Sequence, residues 1–251
     1  MIKEYYRANN LKEAYDYILN GAVVLAGGGY ISKHQEDIDA VVDIQKIGLN
    51  GIVNENGFIS IGANENLQSI IDNPLTPASL KVAIRRFPGS LNIRNSASIA
   101  GATLVADGKY DFLPWLLAAG TKIELYPDDK AILLKDFLRE IKNKGKNEII
   151  TKFLIPESST IKYEVITRSS NDGVLVGVFV NKSIDTSAVS VCVSGYDLFP
   201  VCFELTKSSG SMVSELKQHI KTAHSHYIDR FCSFLYFQTM VIELYERIIG
   251  E

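Results

Sequence analysis

The chain has 251 residues, 46% of them hydrophobic and 22% charged, with a net charge of −3. That length supplies one large or two modest cores, and the composition is that of a globular protein. A small negative charge spread along the chain excludes a nucleic-acid partner, which would need a basic face to displace counterions.

Leu11, Ala14, Tyr15 and Ile18 recur at helical spacing, so a helix is predicted over 11–19, stopped by Asn20-Gly21. A strand over 22–26 runs into Gly27-Gly28-Gly29, and 41–44 reads as a second short strand. These elements make a small mixed unit over about residues 1–56. Gly57 opens another, in which 58–61 alternates like a half-buried strand and Gly62-Ala63-Asn64 turns out of it. Thr76-Pro77 is a strong helix start, with threonine as cap and proline first, and Phe87-Pro88-Gly89 ends that helix. The apolar stretch 110–119 is predicted helical despite Pro114. Strands follow at 121–126, 131–134 and 148–155, with a helix over 136–143.

Pro156-Glu157-Ser158-Ser159-Thr160 is the predicted domain boundary, dividing 1–156 from 157–251. Beyond it four short strands are predicted at 163–167, 174–180, 188–193 and 201–205, the last two joined through Gly195-Tyr196-Asp197. Two helices, 212–222 and 227–249, close the chain. Strands followed by helices imply an α+β domain on an antiparallel sheet.

Charge at Lys3 and Glu4 does not suit a secretory signal, and no window offers about 18 uninterrupted apolar residues. A soluble, cytoplasmic protein without a membrane span is expected. Cys192, Cys202 and Cys232 are odd in number, which disfavours a disulfide framework or a metal site held by this chain. Cys192 and Cys202 could face each other across a hairpin, although packing thiols are the simpler reading. His224 and His226 lack a third ligand nearby and read as a solvated loop, while Lys142, Lys144 and Lys146 read as a solvated helix end or loop. No catalytic constellation is assigned.

Two glycine-bearing segments carry the chemistry: Ala26-Gly27-Gly28-Gly29-Tyr30 and Ser98-Ile99-Ala100-Gly101-Ala102. Glycine turns let backbone N–H groups converge on an anion, because no Cβ blocks the approach. Alone, the first serves a tight turn as readily as a phosphate. It is not the dinucleotide fingerprint, which would need glycine at Ser32, and no Gly-Lys-Ser or Gly-Lys-Thr follows.

Taken in order, these segments resemble the FAD-binding medium subunit of the molybdenum hydroxylases, the xanthine dehydrogenase and carbon monoxide dehydrogenase family. Ala26-Gly27-Gly28 is similar to its first flavin segment. Arg94-Asn95 with Ser98-Ile99 and Gly101 is similar to the second, and Asp111-Phe112-Leu113-Pro114 to the acidic motif that follows. Ile61-Gly62-Ala63, Lys135-Asp136-Phe137, Ile155-Pro156 and Tyr227-Ile228-Asp229-Arg230 support the match along the chain. The resemblance implies a two-lobed FAD-binding domain of the vanillyl-alcohol-oxidase-like type, with lobes of about 1–56 and 57–156, then a small α+β domain. It implies an oxidoreductase subunit that takes electrons from 2Fe–2S clusters in a partner and passes them to NAD or another acceptor. Hydroxylation would belong to a large molybdopterin subunit.

By the same resemblance the two glycine segments hold the FAD diphosphate and Asp111 binds a ribityl or ribose hydroxyl, its alternative being a helix cap. Phe87 and Ile150 fall near positions that flank the cofactor, or are core residues. Several residues depart from the family pattern. Ala100 and Ala102 stand where the family has glycine and asparagine, so a Cβ at Ala100 is expected to resist a positive φ and Ala102 removes an amide donor. Gly29-Tyr30 loses a hydroxyl that the Tyr30 phenol could restore or merely cover, and Tyr163 lacks the family's following lysine. These departures leave open a non-catalytic scaffold with weakened FAD binding. A stand-alone flavin oxidoreductase is a third reading.

Overall fold

The computed structural model describes residues 2–86, 88–106, 108–144, 147–169, 172–182, 188–195, 198–206, 212–223 and 232–250. In chain order it contains β1 (Glu4–Arg7), α1 (Leu11–Leu19), β2 (Val23–Leu25), β3 (Ala40–Asp43), β4 (Ile52–Glu55) and β5 (Phe58–Gly62). Helices α2 (Leu67–Asp72), α3 (Ala78–Arg86), α4 (Leu91–Ser96), α5 (Ile99–Val105) and α6 (Phe112–Ala118) follow. Next come β6 (Lys122–Tyr126), β7 (Lys130–Leu133), α7 (Leu134–Lys144), β8 (Ile149–Pro156), β9 (Ile161–Ile166) and β10 (Val176–Asn181). The chain closes with β11 (Ala188–Gly195), β12 (Leu198–Thr206), α8 (Met212–Ala223) and α9 (Phe234–Gly250).

These elements form two compact units. The first gathers residues 1–76, 89–105 and 121–156; the second gathers 77–88, 106–120 and 157–251. The chain therefore crosses between units at several points, with 77–88 and 106–120 joining the C-terminal portion.

In the first unit, β1, β3 and β2 form a parallel sheet in that order, with Tyr6 and Val24 both level with Val42. Helix α1 links β1 to β2. Asn10 caps it by accepting from Glu13 N–H at 2.9 Å, and Glu13 in turn accepts from Asn9 N–H. The helix stops at Asn20-Gly21, where Gly21 adopts φ +95°. Ala8, Ala14, Val42 and Ile44 make the core between helix and sheet. A second sheet is antiparallel, in the order β4-β5-β8-β6-β7, and buries Ile59, Ile61, Ile123, Phe153 and Ile155. The β4–β5 hairpin shows that this lobe begins before Gly57.

The second unit is built on the antiparallel sheet β12-β11-β10-β9. Val176, Val178 and Val180 on β10 join a core with Leu216 and Ile220 of α8 and Phe237, Val241 and Tyr245 of α9. Helix α6 packs against the same four strands and is buried throughout. With helices against it and strands on either side, β10 carries an unbroken apolar run rather than an alternating one. Pro114 lies in the first turn of α6, where its missing N–H costs no helical bond. Pro200 sits on β12, an edge strand, where a missing donor is tolerated.

Thr76 Oγ1 is buried without a hydrogen bond, so the side-chain cap expected for α3 does not form. Cys192 and Cys202 do lie opposite each other on β11 and β12, and both are free thiols. Expectations for Phe87, Tyr196-Asp197, His224, His226 and 227–231 lie outside the described residues, as do the side chains of Lys142, Lys144 and Lys146. Among the described residues no helix is long and apolar enough to cross a membrane.

Candidate functional site

Strand β2 ends at Leu25, and the chain turns through Ala26 to Tyr30 with Gly28 at φ +73°, a conformation that favours glycine. Gly27 is needed for a different reason. A Cβ there would stand 2.1 Å from the carbonyl oxygen of Ser96 and 3.0 Å from Ala97 Cα. The first glycine-bearing segment is thus in direct backbone contact, within the first unit, with the two residues that lead into the second. Gly29 has open space around it, and Tyr30 is exposed and stacked on His34 at 4.2 Å.

A cavity of about 340 Å³ opens beside this contact. The first segment contributes Ala26 and Gly27, the second contributes Ser98, and Asn95 and Ser96 just before it join them. Gln45, Asn50, Asn64 and Asn66 complete the wall, which carries no ionisable side chain among the described residues. Three of those amides tie the surrounding loops together. Gln45 donates to Ala26 O at 2.8 Å, Asn50 to Asn64 O at 3.1 Å and Asn64 to Ile44 O at 2.9 Å. Gly62 lets the loops close, because a Cβ there would meet Leu49 O at 2.4 Å. Arg94, next to Asn95, is buried and engaged elsewhere, donating to Gln68 Oε1 at 2.9 Å and to Gly89 O at 2.7 Å.

The two segments differ in what they can offer an anion. In the first, the N–H groups of Gly27, Gly28, Gly29 and Tyr30 donate to no protein acceptor among the described residues. The second is not a turn. Ser98 stands before α5, so Ile99, Ala100, Gly101 and Ala102 are helical, and no positive φ is required at Ala100. Their amides are already engaged: Ile99 with Glu65 O, Ala100 with Ala63 O, Gly101 with Ser98 Oγ and Ala102 with Ser98 O. The expected convergence of main-chain donors from both segments is therefore met by the first alone. Ser98 N–H is the second segment's remaining main-chain donor beside the cavity.

Ile99 and Ala102 are buried, and Ile150 is a core side chain of β8. Asp111 belongs to the second unit. It does not cap α6 through its side chain; its carboxylate pairs with Arg86 Nε at 3.0 Å. Burial outweighs that guanidinium and pushes the Asp111 carboxyl up to about 6. Tyr163, also in this unit, stacks on Phe179 at 4.8 Å and its hydroxyl is buried without a hydrogen bond. The carboxamides of the cavity wall escaped sequence reasoning because asparagine in a turn ordinarily serves the turn itself. The signal available was their density after Ile44 and Gly62.

Residues 1–158 match the family described as the FAD binding domain in molybdopterin dehydrogenase. The Escherichia coli (strain K12) protein YgfM, itself uncharacterized, is 26% identical over 157 residues, which are 61% of this chain and 60% of that protein. The fold is similar over the whole chain to solved structures. A chain of the Hydrogenophaga pseudoflava carbon monoxide dehydrogenase lacking the Mo-pyranopterin moiety of its molybdenum cofactor aligns at TM-score 0.78, 18% identity and 96% of its length. One of quinoline 2-oxidoreductase from Pseudomonas putida 86 aligns at 0.77, with 16% identity and 96% of its length.

Proposed function

The chain belongs to the family of FAD-binding domains in molybdopterin dehydrogenases, flavoprotein parts of oxidoreductases, and from that premise we propose that its first bend holds FAD by the diphosphate. The observation that carries the reading is the row of uncommitted N–H groups from Gly27 to Tyr30, beside a cavity shared with Ser98. A diphosphate accepts several such bonds, and each charge-assisted one contributes about 1.5–3 kcal/mol. Gly27 and Ser96 fix the bend against α4, so the donors are held in place before the cofactor arrives. Ala26 and Ser98 frame the same opening, while Ile99, Ala100, Gly101 and Ala102 support Ser98 from within α5. Asp111, in the second unit beside Arg86, is proposed as the acceptor for a ribityl or ribose hydroxyl on the family resemblance alone. Ile150, a buried side chain of β8, is proposed to flank the cofactor on the family resemblance alone.

Bound FAD would supply the redox chemistry, accepting electrons singly and releasing them as a pair. The chain's own part is to bind and orient that group. In this reading the electrons come from 2Fe–2S clusters of a partner subunit, with substrate oxidised at a molybdopterin subunit and NAD or another compound as acceptor. The molybdenum named in the similar carbon monoxide dehydrogenase structures supports that assembly. The engaged amides of α5 favour a second reading, a scaffold with weakened FAD binding.

Purification with flavin analysis separates the two. The electron-transfer reading expects a yellow complex whose acid-released flavin is FAD and whose absorbance bleaches when the complex meets its reducing substrate. Colourless protein that takes up no added FAD would leave the scaffold.

A further inference from the structure

Within the flavin reading, on which this inference rests, the second segment lacks main-chain donors at 99–102 and lacks the asparagine side chain at Ala102. The cavity nonetheless holds a side chain built to supply what is missing. We propose that the amide group of Asn66 donates to the cofactor's diphosphate.

Asn66 lines the cavity together with Gly27 and Ser98, and it forms a β-bridge with Ser98. That bridge is made by two bonds, Leu67 N–H to Ala97 O at 3.1 Å and Ile99 N–H to Glu65 O at 2.8 Å. Its position relative to the second segment is therefore set by main-chain bonds rather than by a mobile loop. Its side chain is oriented as well. Asn66 Oδ1 accepts from Ser69 N–H at 2.8 Å, which assigns the oxygen inward and leaves the –NH2 as the outward end. Among the described residues that –NH2 has no protein acceptor.

Three other amides of the wall are arranged the opposite way, while the side chain of the fifth, Asn95, makes no hydrogen bond among the described residues. Gln45, Asn50 and Asn64 each give a hydrogen of the –NH2 to a backbone carbonyl. Asn66 is the one among these four whose donor end is uncommitted while its acceptor end is fixed. A fixed acceptor with a free donor is the polarity an anion selects, and a wall without acidic side chains does not oppose it. The site so assembled is neutral: it binds the diphosphate through oriented dipoles, with no lysine or arginine in its wall among the described residues.

The test uses the full chain, FAD as the probe, and two substitutions that keep an oxygen for Ser69 N–H. Asn66→Ser shortens the side chain and removes the amide donor; Asn66→Asp removes the donor and adds a negative charge. Asparagine, aspartate and serine cap helices about equally well, so thermal unfolding should move little in either. FAD affinity, followed by flavin fluorescence quenching, should fall about 10-fold in Asn66→Ser, the size of one charge-assisted bond. In Asn66→Asp it should fall further, and the excess loss should shrink as ionic strength rises from about 0.05 to 0.5 M, because screening relieves charge repulsion. Equal FAD affinity in wild type and both variants would overturn the role of Asn66 while leaving the flavin reading intact. A loss in Asn66→Asp that ignores salt and matches Asn66→Ser would also overturn it. Wild-type protein that binds no FAD would instead remove the reading beneath it.

Discussion

Gly27 and Ser96 meet backbone to backbone, so closely that a methyl group on the glycine would stand 2.1 Å from the Ser96 carbonyl oxygen. Neither partner of that contact is a flexible side-chain end, so neither can retreat cheaply. The contact aligns the bend after β2 with the end of α4 and so fixes one wall of the cavity.

Gly27→Ala is expected to lower stability by about 1–3 kcal/mol, the range of an overpacked site, and to weaken FAD binding with it. Gly29→Ala is the comparison, since nothing lies within 4 Å of a Cβ at Gly29. It should change stability by less than about 0.5 kcal/mol. Urea unfolding of the two variants beside wild type checks the contrast; equal effects would show that the Ser96 contact is not what Gly27 serves.

Ala100 was expected from sequence to crowd a turn that wanted glycine, and the helix α5 reverses that expectation. Ala100→Gly should cost about 0.5–1 kcal/mol, as glycine does inside a helix, without improving FAD affinity. A variant that binds FAD more tightly would mean that residue 100 leaves the helix when the cofactor arrives.

Asp111 gives the second unit a pH dependence whose sign is unusual for a carboxylate beside an arginine. Burial pushes its carboxyl up to about 6 in the fold, above the ordinary aspartate value of about 3.9, so folding favours the protonated acid. The stabilisation it brings is complete below about pH 4 and is lost as pH rises through 6, by about 3 kcal/mol at most. Asp111→Asn should flatten stability over that interval. The single tryptophan, Trp115, is buried in this unit and donates to Ser79 Oγ at 3.1 Å, so its fluorescence reports the unfolding. Stability that rises between pH 4 and 6 in wild type would show that Arg86 outweighs burial.

Much of the second unit was legible. The run over 174–180 marked β10 because a strand covered on both faces has no polar alternation to lose, and α6 was readable through Pro114 because a first-turn proline breaks no bond. Strands β1 and β4 were not, being short, largely exposed edges with no periodic burial to write into sequence. The site was half legible. Gly27 betrays a close approach, but Gly101 in an Ala-Gly-Ala run suits a helix as well as a turn, and only the acceptors at Ala63, Glu65 and Ser98 decide between them. Those acceptors come from other parts of the chain or from a cap, which a local pattern does not contain. The carboxamide wall was hidden for a related reason, since its function depends on which end of each amide the backbone has already claimed.

Amide hydrogen exchange of the full chain with and without FAD tests the central claim most directly. The account expects the amides from Gly27 to Tyr30 to exchange freely in the unliganded protein and to become protected when FAD is added, while those from Ile99 to Ala102 are protected from the start. FAD binding that leaves 27–30 exchanging as before would contradict it.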